Sequence, residues 1–209
     1  MQLIGMLDSP YVRRSAISML RLGLRFEHQS ISVFRQFPQF QAINPVVKAP
    51  SLVCDDGAVL MDSTLIIQYA EACAGRSLMP ATLAGTQAAL QAIGLALAVC
   101  EKSVQIIYER NLRPTEKQHT PWLDRVSGQL QAALAALEAQ IGHSLPALPN
   151  GDIDQAGISL AVAWHFAATE LPAQVRAEDY PRLAAFSAAA EALPAFRAAP
   201  HGDGIVHPL

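Results

Sequence analysis

Two hydroxyl-bearing stretches of this sequence have the residue types to hold an anion. The first is Asp8-Ser9-Pro10-Tyr11-Val12-Arg13-Arg14, which follows an apolar run, Leu3 to Leu7, and leads into an amphipathic run, Val12 to Leu24. Pro10 lacks the backbone N–H that a first helical turn leaves unpaired, and its ring presets a helical φ. Ser9 then falls at the N-cap, beside unpaired N–H donors and the positive end of the helix dipole. Its hydroxyl has two uses there. It can accept from a backbone N–H as a cap, or donate to a bound anion such as a thiolate. The second stretch is Asp62-Ser63, which opens another helical pattern and supplies its N-cap.

The elements around these groups alternate in type. Leu3 to Leu7 reads as a strand and Val12 to Leu24 as a helix. Glu27 to Phe34 reads as a second strand with Ile31 and Val33 on one face. Strand, helix, strand over about thirty residues is a βαβ unit with parallel strands. Gln36 to Ile43 is short and mixed, one irregular helical turn, and Asn44-Pro45 closes it. Between Val46 and Met61, Asp55-Asp56-Gly57 is a hairpin turn joining two antiparallel strands. Ser63 to Cys73 is then a helix with Leu65, Ile66, Tyr69 and Ala70 at core spacing, ended by Gly75.

This order, βαβ, a short helix, then ββα, is that of a thioredoxin-like domain, and here the sequence resembles one family. Residues 1–80 are similar to the N-terminal domain of cytosolic-type glutathione transferases. Asn44-Pro45-Val46-Val47-Lys48-Ala49-Pro50 resembles that family's segment before its cis-proline, and Asp62-Ser63 its acidic-Ser pair. Ser9-Pro10-Tyr11-Val12-Arg13 resembles the first helix of its serine-type, bacterial-like members. The same Ser9-Pro10-Tyr11-Val12 falls where thioredoxins carry Cys-x-x-Cys. With both sulfurs absent, dithiol–disulfide exchange is excluded, and so is a thiol reductase that needs a cysteine at position 9.

The resemblance implies glutathione as co-substrate, and the chemistry is within reach of these residues. A Cys thiol has a pKa of about 8.5, so little is ionised at neutral pH. Lowering it by about two pH units requires about 2.7 kcal/mol of preferential thiolate stabilisation. One hydroxyl donating to a charged acceptor supplies about 1.5–3 kcal/mol, and a helix N-terminus up to about 1 more. Ser9 therefore suffices, without a metal or a general base. The resemblance further implies that free N–H groups and the Ser63 hydroxyl take the γ-glutamyl carboxylate, with Asp62 on its ammonium. It implies a cis bond before Pro50 that turns the Ala49 backbone toward the cysteinyl part, as in strand addition. Lys48 resembles a lysine placed near the glycyl carboxylate, although an exposed lysine equally reads as solvated surface. Tyr11, Phe34 and Tyr108, with Trp164 a further candidate, are expected to line an apolar second-substrate pocket; each is equally compatible with an ordinary core position. Arg13 and Arg14 read as helix-surface or interface charges.

Pro80 to Gly85 is a linker, and beyond it alanine, leucine and helical periodicity dominate. Expected helices run from Thr86 to Asn111, apolar at Leu90, Ile93, Leu97, Val104 and Ile107. The next starts at Thr120-Pro121 with a Val126, Leu130, Leu134, Leu137, Ile141 stripe and stops at Gly142. A loop covers Pro146 to Gly151. Ile158 to Leu171 is the most apolar helix and the expected centre of this half, and Tyr180-Pro181 opens another to Leu193. Where the family has a hydroxyl residue followed three positions on by Asp, this chain has Asp154 and Gly157. That keeps the N-cap and loses the reciprocal half of the box. Leu193-Pro194-Ala195-Phe196-Arg197 resembles the family's last helical segment, with a loose tail from Pro200. The expected architecture is thus an α/β thioredoxin-like domain, 1–80, followed by an all-α domain, 86–209, usually as a homodimer.

Composition removes other classes. With 209 residues, 51% of them apolar, the chain can bury a sizeable core. A net charge of −3 leaves no footprint for nucleic acid or an anionic membrane. No apolar run approaches the ~20 residues a bilayer needs, and the N-terminus lacks a secretory signal pattern, so a cytoplasmic protein is expected. The three cysteines (54, 73, 100) are far apart and read as inert core residues, and the six histidines lack metal-ligand spacing. Two functions remain. One is an enzyme that adds glutathione to a small apolar electrophile. The other is a regulatory or binding protein that holds glutathione or another ligand on the same scaffold without turnover.

Overall fold

The computed structural model describes residues 1–146 and 153–209. Most of the loop expected from Pro146 to Gly151, and Asp152, therefore lie outside the described residues. The chain forms two compact units, Met1–Leu78 with Ala192–Leu209, and Met79–Glu191.

In the first unit β1 (Gln2–Ile4) leads through α1 (Pro10–Arg21) to β2 (Glu27–Gln29). Then come α2 (Phe37–Ile43), β3 (Ser51–Val53), β4 (Val59–Met61) and α3 (Ser63–Ala74). The sheet order is β2-β1-β3-β4, with β1 and β2 parallel and the other neighbours antiparallel. Successive strand residues face opposite sides. Ile4 packs with Ile31 and Phe40, against α2, together with Val33, Ile43, Val47, Ala49 and Val53. Leu3 faces the other side, where α1 packs on β1 and α3 and buries Val12, Ala16, Ile17 and Met19.

Local chemistry ends these elements earlier than hydropathy suggests. The apolar run Leu3 to Leu7 is a strand only to Ile4, because Gly5 turns out of extended geometry at φ +134°. β2 stops at Gln29, where Ile31 N–H bonds back to the Gln29 carbonyl at 2.9 Å. Ile31 and Val33 reach the core from a loop instead. Gln36 to Ile43, read as one irregular helical turn, holds the regular seven-residue helix α2. On α3 the buried face is Ser63, Ile66, Ile67 and Ala70. Leu65 (56% exposed) and Tyr69 (37%) lie outside it, so the core stripe sits one position from the expected one. Both stripes of this helix are apolar, and periodicity does not choose between them.

The second unit consists of α4 (Leu83–Leu112), α5 (Thr120–Gln140), α6 (Gln155–Glu170) and α7 (Pro181–Glu191). α4 starts three residues before the expected helix, because the Thr82 hydroxyl caps it by accepting from Gly85 N–H at 3.1 Å. Its inner face is Ala89, Ala92, Ile93, Ala96, Val99, Cys100, Ser103 and Ile106; Leu90 is exposed. By length and composition alone α4 could cross a membrane; α5 and α6 pack along it. α6 is buried on nearly every face and packs against α4 and α7. Asp154 caps it, accepting from Gly157 N–H at 2.8 Å. A Cβ on residue 157 would lie 2.7 Å from Ile153 Cγ1 and 3.3 Å from Phe186 Cζ. That crowding explains why no side chain completes the capping box here.

The helical domain expected over 86–209 does not extend to the C-terminus. Ala192–Leu209 groups with the first unit, through α8 (Pro194–Ala198) against α1. Nor is the tail after Pro200 loose. Arg13 Nε donates to the Ala199 carbonyl at 2.8 Å. Ser30 Oγ donates to the Asp203 carbonyl at 3.1 Å, and Arg35 pairs with the Asp203 carboxylate at 3.1 Å. Val206 N–H donates to His28 Nδ1 at 3.2 Å. These polar ties hold a segment whose sequence has too few apolar residues to announce packing.

Candidate functional site

The sheet register gathers the candidate residues at one end of the first unit. Ile4 pairs with Gln29 and with Ser51, and Ser51 pairs with Met61. Hence the chain leaves β1 toward Ser9, enters β3 from Lys48-Ala49-Pro50, and leaves β4 into Asp62-Ser63, all at the same edge. Gly5 lets these segments touch. A Cβ there would lie 2.6 Å from Val12 Cγ2 and 3.2 Å from Ala49 Cβ. Only glycine brings the first turn of α1 and the Ala49–Pro50 segment this close.

Ser9 is the N-cap residue of α1 by position (φ −72°, ψ 123°), but its side chain makes no cap hydrogen bond. Its carbonyl accepts from Arg13 N–H at 3.0 Å. Of the two uses of the hydroxyl, capping is therefore not the one adopted, and the half-buried group stays available to a ligand.

The Ala49–Pro50 peptide bond is cis. A buried polar cluster holds the segment before it. Asn44 Nδ2 donates to Ser51 Oγ at 2.8 Å, and Ser51 Oγ donates to the Lys48 carbonyl at 2.8 Å. Asn44 Oδ1 and its carbonyl accept from Val46 and Val47 N–H. Val47 sits at φ +53° and Asp62 at φ +75°. Each such conformation costs about 1–3 kcal/mol and needs its surroundings to hold it. For Asp62 the holding bonds are its carboxylate accepting from Thr64 N–H at 2.9 Å and its carbonyl accepting from Ile66 N–H at 3.0 Å. Lys48 Nζ lies 3.8 Å from Asp62 Oδ2, both half exposed.

Arg13 and Arg14 are not surface charges. They are 1% and 2% exposed. Arg13 stacks over the Phe196 ring, 5.8 Å from its centroid. Arg14 Nη1 donates to Ser63 Oγ at 2.9 Å and to Thr64 Oγ1 at 3.1 Å, tying α1 to the start of α3. A charged residue on an amphipathic helix reads as exposed, so neither role carries a local sequence signal. His28 is a second unannounced link. Its Nε2 lies 2.7 Å from the Gly5 carbonyl while Nδ1 accepts from Val206. That pattern requires the neutral imidazole, and burial, opposed by the Gly5 bond, holds its pKa below the usual value.

Tyr11, half-buried, is in the first turn of α1, and Phe34 (55% exposed) follows β2 in the first unit. Tyr108 (42% exposed) is on α4 of the second unit, and Trp164 is buried in α6. Cys54 and Cys100 are buried as expected; Cys73 is exposed. Among the described residues no group of three or more His, Cys, Asp or Glu is placed to hold a metal. A cleft of about 570 Å³ at the opposite end of the sheet, lined by Gln2, Arg25, Phe26, Glu27 and Asp55, shares no residue with this set.

The class is that of proteins with a four-stranded thioredoxin-like unit followed by a helical one. Residues 3–77 match the family model described as Glutathione S-transferase, N-terminal domain. The chain is 34% identical over 71 residues to the uncharacterized GST-like protein YibF of Escherichia coli; the match spans 34% of this chain and 35% of that one. A glutathione S-transferase from Methylobacterium radiotolerans, solved with glutathione sulfonate, superposes with a TM-score of 0.86 at 24% identity, over 100% of this chain and 98% of the other. A glutathione transferase family member from Pseudomonas fluorescens, solved with bound glutathione, gives 0.80 at 27% identity over 96% and 98%.

Proposed function

We propose that this chain is a glutathione transferase in which Ser9 stabilises the thiolate of bound glutathione for attack on a small apolar electrophile. The observation that carries this reading is the Ser9 hydroxyl. It stands at a helix start, uncommitted to the cap it would ordinarily make, at the sheet end shared with Ala49, Pro50, Asp62 and Ser63. Glutathione bound to the Pseudomonas fluorescens relative supports the choice of ligand.

In this reading the γ-glutamyl carboxylate lies on Ser63 and the first-turn N–H groups of α3, with its ammonium on Asp62. The cysteinyl backbone pairs with Ala49 beside Pro50, and Lys48 serves the glycyl carboxylate. The thiol gives its proton to solvent, and the Ser9 O–H donates to the sulfur anion. A sulfur lone pair then forms a C–S bond. In displacement, the leaving group departs with the electrons of its own bond. In conjugate addition, the π electrons move to the activating group and solvent returns a proton. Tyr11 and Phe34 supply apolar surface for the electrophile. Proximity of the two reactants does the rest. The partner we assign is a second copy of this chain, supported by the exposed apolar side chains Leu65 and Tyr69 of α3 and Met61 of β4. The reading places that homodimer in the cytoplasm, as a detoxifying enzyme.

The test is calorimetric titration with glutathione, followed by conjugation of an activated chloroarene by wild type and Ser9→Ala. Binding with turnover that Ser9→Ala lowers at least about tenfold supports the reading. Binding without turnover on a panel of electrophiles would assign the non-catalytic role instead.

A further inference from the structure

Arg14 stands behind the hydroxyls of the site, and its role rests on the glutathione reading proposed above. A guanidinium donates and cannot accept. Ser63 and Thr64 Oγ therefore face Arg14 with lone pairs, at 2.9 and 3.1 Å, and their O–H protons must point elsewhere. No protein acceptor takes either proton among the described residues. Ser63 is the first residue of α3, so the helical carbonyls to which an interior serine would back-bond do not exist there. Thr64 N–H is already committed to Asp62. Two aligned hydroxyl donors thus stand at the positive end of a 12-residue helix, backed by a buried cation.

We propose that Arg14 is the positioning residue for the γ-glutamyl end of glutathione: by occupying the lone pairs of Ser63 and Thr64, it commits both hydroxyl protons to the ligand's α-carboxylate. Arg14 does not itself touch the ligand. It lies 2% exposed behind the two hydroxyls. Without it, each hydroxyl is free to rotate and spend its proton on solvent or backbone, and the donor pair loses its direction. Both bonds leave Nη1, and a lysine in its place keeps the charge but loses the fixed, in-plane direction of those two N–H donors. The head group selected is a zwitterionic α-amino acid, with ammonium toward Asp62 and carboxylate toward the two hydroxyls.

The discriminating experiment measures dissociation constants for glutathione and for cysteinylglycine, which lacks the γ-glutamyl group, on wild type, Arg14→Met and Arg14→Lys. The expected result is a loss of about tenfold for glutathione in both variants, with cysteinylglycine changed by less than about twofold. A residue that merely supports the fold would move both ligands together, so an equal loss, or no loss, overturns the proposal. Where Arg14→Met does not fold by circular dichroism, Thr64→Val removes one of the two hydroxyls at nearly constant shape. The same selective loss is expected of it, and its absence overturns the proposal. Wild type that binds neither ligand overturns the glutathione reading itself, an outcome distinct from equal binding by wild type and variants.

Discussion

Ser9 and Asp62 occupy the same helical position on α1 and α3 and use it differently. Asp62 caps its helix by accepting from Thr64 N–H, whereas Ser9 leaves its own cap unmade. The two should therefore differ in their contribution to stability. Asp62→Ala should cost about 1 kcal/mol in urea unfolding, and Asp62→Asn much less, because an amide oxygen still caps. Ser9→Ala should stay within about 0.5 kcal/mol of wild type, since no intramolecular bond is lost. A loss near 1 kcal/mol for Ser9→Ala would mean the hydroxyl caps in solution. Residue types alone left this choice open; only the geometry separates two N-cap residues with the same sequence signature. Arg14 and Asn44 were beyond reach for a related reason. A buried charge and a buried amide are licensed by partners distant in sequence, and nothing local records those partners.

At the scale of elements the sequence was most legible where one face is unambiguous. α5 carries the Val126, Leu130, Leu134, Leu137 stripe as its buried face, and the Asp55-Asp56-Gly57 turn joins antiparallel neighbours. It was least legible where two stripes compete, as on α3 and α4, or where a strand ends at a backbone bend rather than a polar residue, as at Gly5. α6 shows how packing can override a sequence motif. With Ile153 Cγ1 2.7 Å from where a Cβ on residue 157 would sit, Gly157→Ala should destabilise by about 1–3 kcal/mol despite the better helix propensity of alanine. Thermal unfolding of the variant checks this, and a raised Tm would show that Ile153 yields freely.

At the scale of the whole molecule, the order of elements and the helical second half were readable from periodicity, and the destination of the C-terminal tail was not. Its ties are polar and reach back nearly the length of the chain. One of them carries a pH dependence. The Gly5 and Val206 bonds require neutral His28, whose pKa burial holds below the unfolded value. The unfolded chain therefore takes up the proton first as pH falls through about 6.5, and stability declines below that pH and is unaffected above it. His28→Gln keeps a donor for Gly5 and an acceptor for Val206, so it should flatten that part of the urea-stability profile; an unchanged slope would show that other groups dominate it.

The central claim is that a hydroxyl at the start of α1 ionises a bound thiol. It is tested most directly by ultraviolet titration of the thiolate of glutathione bound to wild type and to Ser9→Ala. The account predicts a bound thiol that ionises about one to two pH units below free glutathione in wild type, with most of that shift gone in Ser9→Ala. Glutathione that binds with its thiol pKa unmoved, or a shift that survives Ser9→Ala intact, would contradict it.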